Sequence, residues 1–194
     1  MTMNPQEIEG SWKAGIVLDW HTTESHVVGE NEYGHPVFET TRSELGELLY
    51  QFKYRSNKSA LNRLLELATG RLSAAKGKFD LVVPIPPSNP RRTVTSQIAT
   101  GLAPCLAAAV SLNALTKVRA TDELKSVADP DRRKELLAGA FSADRSQLNG
   151  KRVLLVDDLY RSGATLEAAT NVVYRQGGAA AVFVFAVTRT RVIR

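Results

Sequence analysis

The sequence predicts an α/β fold with a central, mostly parallel sheet flanked by helices. The apolar runs Leu81 to Val83, Val153 to Val156 and Ala181 to Val187 are continuous rather than alternating, as in parallel strands covered on both faces. Helical periodicity flanks each run, and strand, loop, helix, strand at this spacing describes an open α/β sheet. A length of 194 residues, 43% of them hydrophobic and 23% charged, suits one domain of ordinary size with a sizeable core.

Residues 13–40 alternate short apolar runs such as Gly15-Ile16-Val17-Leu18 with turn signals such as Glu32-Tyr33-Gly34, which reads as small antiparallel strands. Thr41 followed by Glu44 has the spacing of a capping box, and Leu45, Leu48, Leu49 and Phe52 then recur at helical intervals. Asn57 is placed to cap a second helix with the buried stripe Leu61, Leu64, Leu65, Ala68 and Leu72. The linker Lys76-Gly77-Lys78 follows, dividing the chain into an N-terminal hood or extension over residues 1–78 and a core over residues 79–194. A helix after Thr93 meets Gly101 and Pro104 and is expected to kink or stop there. Residues 117–138 hold eleven charged side chains and Pro130, which predicts a mobile surface excursion. The helix from Ala164 buries Leu166, Ala169, Val172 and Val173 and ends at Gly177-Gly178.

Composition excludes several classes of function. A single cysteine, Cys105, permits neither an internal disulfide nor a zinc ribbon, and on its Ala- and Leu-rich helix it reads as a small buried hydrophobe. The longest apolar run, Ala179 to Val187, is far short of the ~20 residues a membrane-spanning helix needs. Met1 to Gly10 carries Glu7 and Glu9 and lacks the layout of a secretory signal, so a cytoplasmic chain with no membrane partner is expected. Residues 1–78 hold 9 Lys+Arg against 10 Asp+Glu, whereas residues 79–194 hold 16 against 10, so an anionic ligand is expected on the second part. His21, His26 and His35 with Asp19 admit a metal reading, but scattered histidines in short strands are usually surface or hydrogen-bonded, and no protein-only metal site is predicted. Trp12 and Trp20 read as packing residues.

The segment Val153 to Thr165, Val-Leu-Leu-Val-Asp-Asp-Leu-Tyr-Arg-Ser-Gly-Ala-Thr, joins a buried strand, two carboxylates, a short glycine loop and a helix start. At the carboxyl end of a parallel strand such a loop opens into the crevice where α/β sheets bind ligands. Backbone N–H groups from Tyr160 to Thr165, the helix dipole and the Ser162 and Thr165 hydroxyls suit one phosphate, and Gly163 lets the backbone come close. Asp157 and Asp158, one short loop away, suit sugar hydroxyls, and the two together describe a ribose 5-phosphate. Phospho-acceptor receiver domains also open on a Val-Asp-Asp tripeptide, but near their N-terminus, whereas only 36 residues follow Asp158. A structural reading, with the aspartates as helix caps and Gly163 as a turn, is the bland alternative.

These thirteen residues resemble the phosphoribosyl-diphosphate (PRPP) binding motif of type I phosphoribosyltransferases, with Arg161 where a small hydroxyl residue is usual. The wider chain is similar to the ComF-type branch, named for its link to DNA uptake in competent bacteria. The matching pieces are Tyr50 to Arg55, the proline-rich loop with Arg91, Arg92 and Gln97, Lys117 to Thr121, Arg133 ahead of Gly139-Ala140-Phe141, and Thr188-Arg189. Two departures are the absent N-terminal zinc ribbon and Val94-Thr95-Ser96 in place of the usual Gly-Phe-Asn.

The resemblance implies the type I phosphoribosyltransferase fold with a small N-terminal hood, and transfer of ribose 5-phosphate from PRPP to a nitrogenous, nucleobase-like acceptor with release of pyrophosphate. It implies Asp157 and Asp158 as catalytic residues holding the ribose diol, and Tyr160, Arg161, Ser162, Gly163, Ala164 and Thr165 around the 5-phosphate. Pyrophosphate would meet Pro86, Pro87, Ser88, Arg91, Arg92, Lys117, Arg119 and Arg133, with an X-Pro bond available in the cis form for roughly 0.5–1 kcal/mol. Mg2+ is the implied cofactor, carried by PRPP and shared with Asp157 and Asp158. The rival reading is a PRPP-sensing or single-stranded-DNA-binding accessory protein with the same fold and little transfer activity, partnered by DNA-processing proteins; either form is compatible with a homo-oligomer.

Overall fold

In a computed structural model of the chain, residues 3–87, 89, 93–119, 137 and 139–190 are described, apart from the side chain of Phe38. The strands are β1 (Gln6–Glu7), β2 (Ala14–Trp20), β3 (Thr22–Glu30), β4 (Pro36–Arg42), β5 (Leu81–Pro84), β6 (Ala109–Val110), β7 (Leu115–Lys117), β8 (Phe141–Ala143), β9 (Arg152–Tyr160) and β10 (Ala181–Arg189). The helices are α1 (Glu44–Arg55), α2 (Lys58–Leu72), α3 (Val94–Leu106), α4 (Arg145–Leu148) and α5 (Ala164–Arg175). Six strands form one sheet in the order β1-β2-β10-β9-β5-β6, parallel throughout except for the short β1. The predicted architecture is therefore the observed one.

The three predicted core strands become β5, β9 and β10, and they are buried on both faces, as continuous apolar runs require. Along β9, Val153 and Leu155 pack on the face covered by α5, while Leu154 and Val156 pack on the face covered by α1, α2 and α3. The Leu64, Ala68 and Leu72 stripe of α2 and the Leu45, Leu49 and Phe52 stripe of α1 supply much of that second layer. Asn57 caps α2 as expected, accepting from the N–H groups of Ser59 and Ala60. The cap of α1 is Ser43 rather than Thr41: its hydroxyl accepts from Gly46 N–H and donates to the Trp20 carbonyl, which fixes the helix start to the end of β2.

The N-terminal 78 residues enter the sheet directly. Ile16, Val17 and Leu18, expected in small antiparallel strands, lie in β2 beside β10 and parallel to it, because a continuous apolar run gains more from burial on two faces than from a half-exposed hairpin. Only β3 and β4 form the expected antiparallel pair, with Val27, Val28, Tyr33 and Val37 exposed. Helix α3 runs through Gly101 and Pro104 and stops at Leu106, two residues past the proline and near where it is expected to kink or stop. An internal proline costs about 3 kcal/mol, whereas each fully buried Leu or Ile returns roughly 1.5–3 kcal/mol. Ile98, Leu102 and Leu106 are all completely buried, so burial prevails. Gly101 is needed for contact, since a Cβ there would run into the Leu65 side chain of α2. The predicted excursion over residues 117–138 lies almost wholly outside the described residues, and its two ends are joined by the antiparallel pair β7–β8.

Candidate functional site

The connections of the sheet locate the crevice. From β5 the chain leaves through α3 on one face toward β6, and from β9 it leaves through α5 on the other face toward β10. Strands β5 and β9 are neighbours whose connections depart in opposite directions, which makes their carboxyl ends a topological switch point. Pro84 pairs with Val156, and Ile85 N–H donates to the Val156 carbonyl, so Pro86 and Pro87 follow directly beside Asp157 and Asp158. The buried Thr95 hydroxyl donates to the Ile85 carbonyl and ties this loop to the start of α3. The Ile85–Pro86 and Pro86–Pro87 bonds are trans, so the cis geometry that proline makes accessible is not used at either. Ser88, Arg91, Arg92 and Arg133 lie outside the described residues.

Strand β9 runs further than expected, through both aspartates to Tyr160, whose carbonyl accepts from Thr190 N–H. The loop proper is therefore Arg161, Ser162 and Gly163, with the first two exposed. Gly163 occupies the N-cap of α5 at φ +79°, a left-handed conformation that glycine adopts without penalty. No side chain caps α5 or α3, whereas Ser43, Asn57 and Asp144 cap α1, α2 and α4. The N–H groups of Ala164 and Thr165 thus open the helix without an intrahelical acceptor, at its positive end. The Tyr160 ring lies beneath this turn: a Cβ on Gly163 would meet its hydroxyl at 2.7 Å. Substitution at Gly163 would accordingly press on Tyr160 and strain the backbone, and would not simply fill the space expected for phosphate.

The two carboxylates differ in their surroundings. Asp158 Oδ2 accepts from Lys53 Nζ at 2.5 Å, an ion pair spanning 105 positions in which both side chains are largely buried. Asp157 Oδ1 accepts from Asp158 N–H at 2.8 Å. Burial, then the adjacent Asp158 charge, pushes the Asp157 carboxyl up to about 7. His21 borders the same cluster. Its Nδ1 lies 3.0 Å from the Thr188 hydroxyl, and burial, followed by the charges of Arg42 and Lys53, lowers its affinity for a proton. Arg189 stacks between aromatic faces, 4.9 Å from the Trp20 ring centroid and 5.4 Å from that of Tyr160, and donates to Gln6 Oε1.

The structure thus brings Asp157, Asp158, Tyr160 to Thr165, Pro86 and Pro87 to one edge of the sheet. Lys117 and Arg119 stand elsewhere in the chain's course, at the end of β7 and just beyond it, with the Lys117 ammonium 5.8 Å over the Phe141 ring and Arg119 exposed. The resemblance includes Lys53 within Tyr50 to Arg55 but gives it no role, and His21 is set aside with the other histidines. A signal for Lys53 existed: it lies four residues beyond Leu49 and eight beyond Leu45, on the border of the buried stripe of α1, where a lysine needs an acid.

No protein-family model matches the chain, and no curated protein matches it in sequence. Solved structures do. One, described as the allosteric regulatory enzyme of purine biosynthesis, aligns at 19% identity and a TM-score of 0.50 over 80% of this chain and 34% of its own. A second, the glutamine PRPP amidotransferase from B. subtilis complexed with ADP and GMP, aligns at 21% identity and a TM-score of 0.50 over the same shares. This chain spans about a third of the length of those two. An adenine phosphoribosyltransferase from Trypanosoma brucei, in complex with AMP, pyrophosphate and ribose-5-phosphate, aligns over 98% of this chain and 87% of its own at 10% identity and a TM-score of 0.49. At these identities the likeness shows the fold alone, and the chain shares its mixed α/β fold with part of the first two.

Proposed function

We propose that the protein is a phosphoribosyltransferase that uses PRPP and Mg2+ to transfer ribose 5-phosphate to a nucleobase-like nitrogenous acceptor, releasing pyrophosphate, and that it belongs with the ComF-type branch. One observation carries the reading. An uncapped helix start and a pair of unequal carboxylates share the carboxyl end of β9 at the switch point of a parallel sheet. The α5 start and the Ser162 and Thr165 hydroxyls would hold the 5-phosphate, and Asp157 and Asp158 the ribose diol. The loop through Pro86 and Pro87, with Ser88, Arg91 and Arg92 following, would border the pyrophosphate. Lys117, Arg119 and Arg133 would close over it and keep water from an oxocarbenium-like transition state. The donor set suits a cation that arrives on its ligand: Asp158 is engaged by Lys53 and Asp157 retains a proton near neutrality, so Mg2+ would be held mainly by diphosphate oxygens, whose charge it neutralises.

Calorimetric titration with magnesium-PRPP tests the reading, followed by a screen of free bases for pyrophosphate release. Saturable binding and release with at least one base are expected. Absence of binding would overturn the proposal, and binding without release with any base would favour the PRPP-sensing alternative. Affinity for an oligonucleotide that falls steeply with salt would instead favour the single-stranded-DNA reading.

A further inference from the structure

Helix α1 reaches the site through one side chain. The Gly46 backbone passes so close to the His21 carbonyl at the end of β2 that a Cβ there would collide with it. Ser43 fixes the same turn to Trp20 and His21 through its hydroxyl and its N–H. Leu45, Leu49 and Phe52 lock the helix onto the sheet. From this fixed support Lys53 Nζ donates to Asp158 Oδ2, with the lysine side chain 19% and the aspartate side chain 15% exposed. Each aspartate thereby has one oxygen engaged, Asp157 Oδ1 by a backbone N–H and Asp158 Oδ2 by the ammonium. A diol can then take one remaining oxygen from each carboxyl.

We propose that Lys53 is a positioning residue for the sugar-binding carboxylate, orienting Asp158 so that its second oxygen accepts from a ribose hydroxyl. The inference rests on the reading of the β9 end as a ribose 5-phosphate site. Lys53 has no part in holding the phosphate, which is assigned to the start of α5. Its removal must therefore weigh unequally on the two halves of the ligand: sugar recognition loses an oriented acceptor, whereas phosphate recognition loses only the ammonium's compensation of the Asp158 charge. Truncation of a purely structural ion pair would disturb both alike or neither.

The experiment uses calorimetry on the full chain with two probes, inorganic phosphate and ribose 5-phosphate, for wild type, Lys53→Met and Lys53→Arg. Methionine keeps the length and packing of the lysine stem without its charge, and a charged hydrogen bond of this kind corresponds to a change of about tenfold or more. Lys53→Met should bind ribose 5-phosphate about tenfold more weakly than wild type and lose clearly less affinity for inorganic phosphate, with Lys53→Arg recovering at least half of the ribose 5-phosphate loss on a logarithmic scale. Equal ribose 5-phosphate affinity in wild type and Lys53→Met would overturn the positioning role and leave the ribose site standing. Parallel loss of both probes in the two variants, with a lowered melting temperature, would also overturn it, since Lys53 would then serve the fold. A wild-type chain that binds inorganic phosphate but gains nothing from the ribose would overturn the ribose site itself, and the inference with it.

Discussion

Gly163→Ala probes the helix start that the proposed phosphate site depends on. At φ +79° an L-residue pays about 1–2 kcal/mol relative to glycine. The new methyl would also meet the Tyr160 hydroxyl at 2.7 Å and its ring carbons at 3.1 Å. The ring end can shift, so the backbone term dominates, and thermal unfolding should fall by roughly 2–8 °C, at about 2–4 °C per kcal/mol for a chain of this size. Binding should fall further. Relief of the left-handed strain re-aims the N–H groups of the first turn, and each hydrogen bond to a charged group is worth about 1.5–3 kcal/mol, so ribose 5-phosphate affinity should drop roughly ten- to a hundredfold. Circular dichroism melts and calorimetry read the two quantities separately. A variant that melts lower yet binds ribose 5-phosphate as wild type does would place the phosphate away from α5, and an unchanged melt would refute the left-handed turn itself.

Three further outcomes follow from the geometry. Asp157→Asn combined with Asp158→Asn should weaken magnesium-PRPP binding at least tenfold while the chain stays folded, because neither carboxylate belongs to the apolar core and asparagine keeps the shape of each; coincident titration curves would sink the diol assignment. The raised Asp157 carboxyl means that between about pH 4 and 7 the folded chain keeps a proton the unfolded chain has lost. Stability should therefore decline as pH rises through that window and level off above it, and urea midpoints at pH 5 and 8 should differ less in Asp157→Asn than in wild type. Gly101→Ala should lower the free energy of unfolding by about 1–3 kcal/mol through forced separation of α2 and α3, and a stability equal to wild type would show that the Leu65 contact yields freely.

Much of this arrangement was legible in residue order because local and tertiary preferences agree there. The β5, β9 and β10 runs are apolar at every position, so their burial on both faces follows from composition alone, and the aspartates of β9 mark where its apolar run ends. What stayed illegible depends on partners distant in sequence. Ile16 to Leu18 does not announce that its neighbour is β10, some 170 residues later, and a reading from nearby turn signals puts it in a local hairpin. Lys53 and Asp158 meet only because α1 and β9 lie in adjacent layers. The α3 proline marks the helix end to within two residues, while a local rule gives its cost but not the burial that offsets it in the last turn.

On the proposed reading an acidic pair lies beside a phosphate site, a conflict that its surroundings reduce. Lys53 compensates Asp158 directly, and the Asp157 carboxyl, pushed up to about 7 by burial and by its neighbour, retains part of its proton at neutral pH. The pair is then far less repulsive to an arriving phosphate than two bare carboxylates would be, while its remaining oxygens still accept from hydroxyls. Such a site favours a ligand that presents hydroxyls to β9 and an anion to α5 at once. Inorganic phosphate satisfies only the second demand and a free pentose only the first. On the proposed reading, the affinity for ribose 5-phosphate should therefore exceed what either fragment achieves alone, because one rigid edge of the sheet holds both sets of partners.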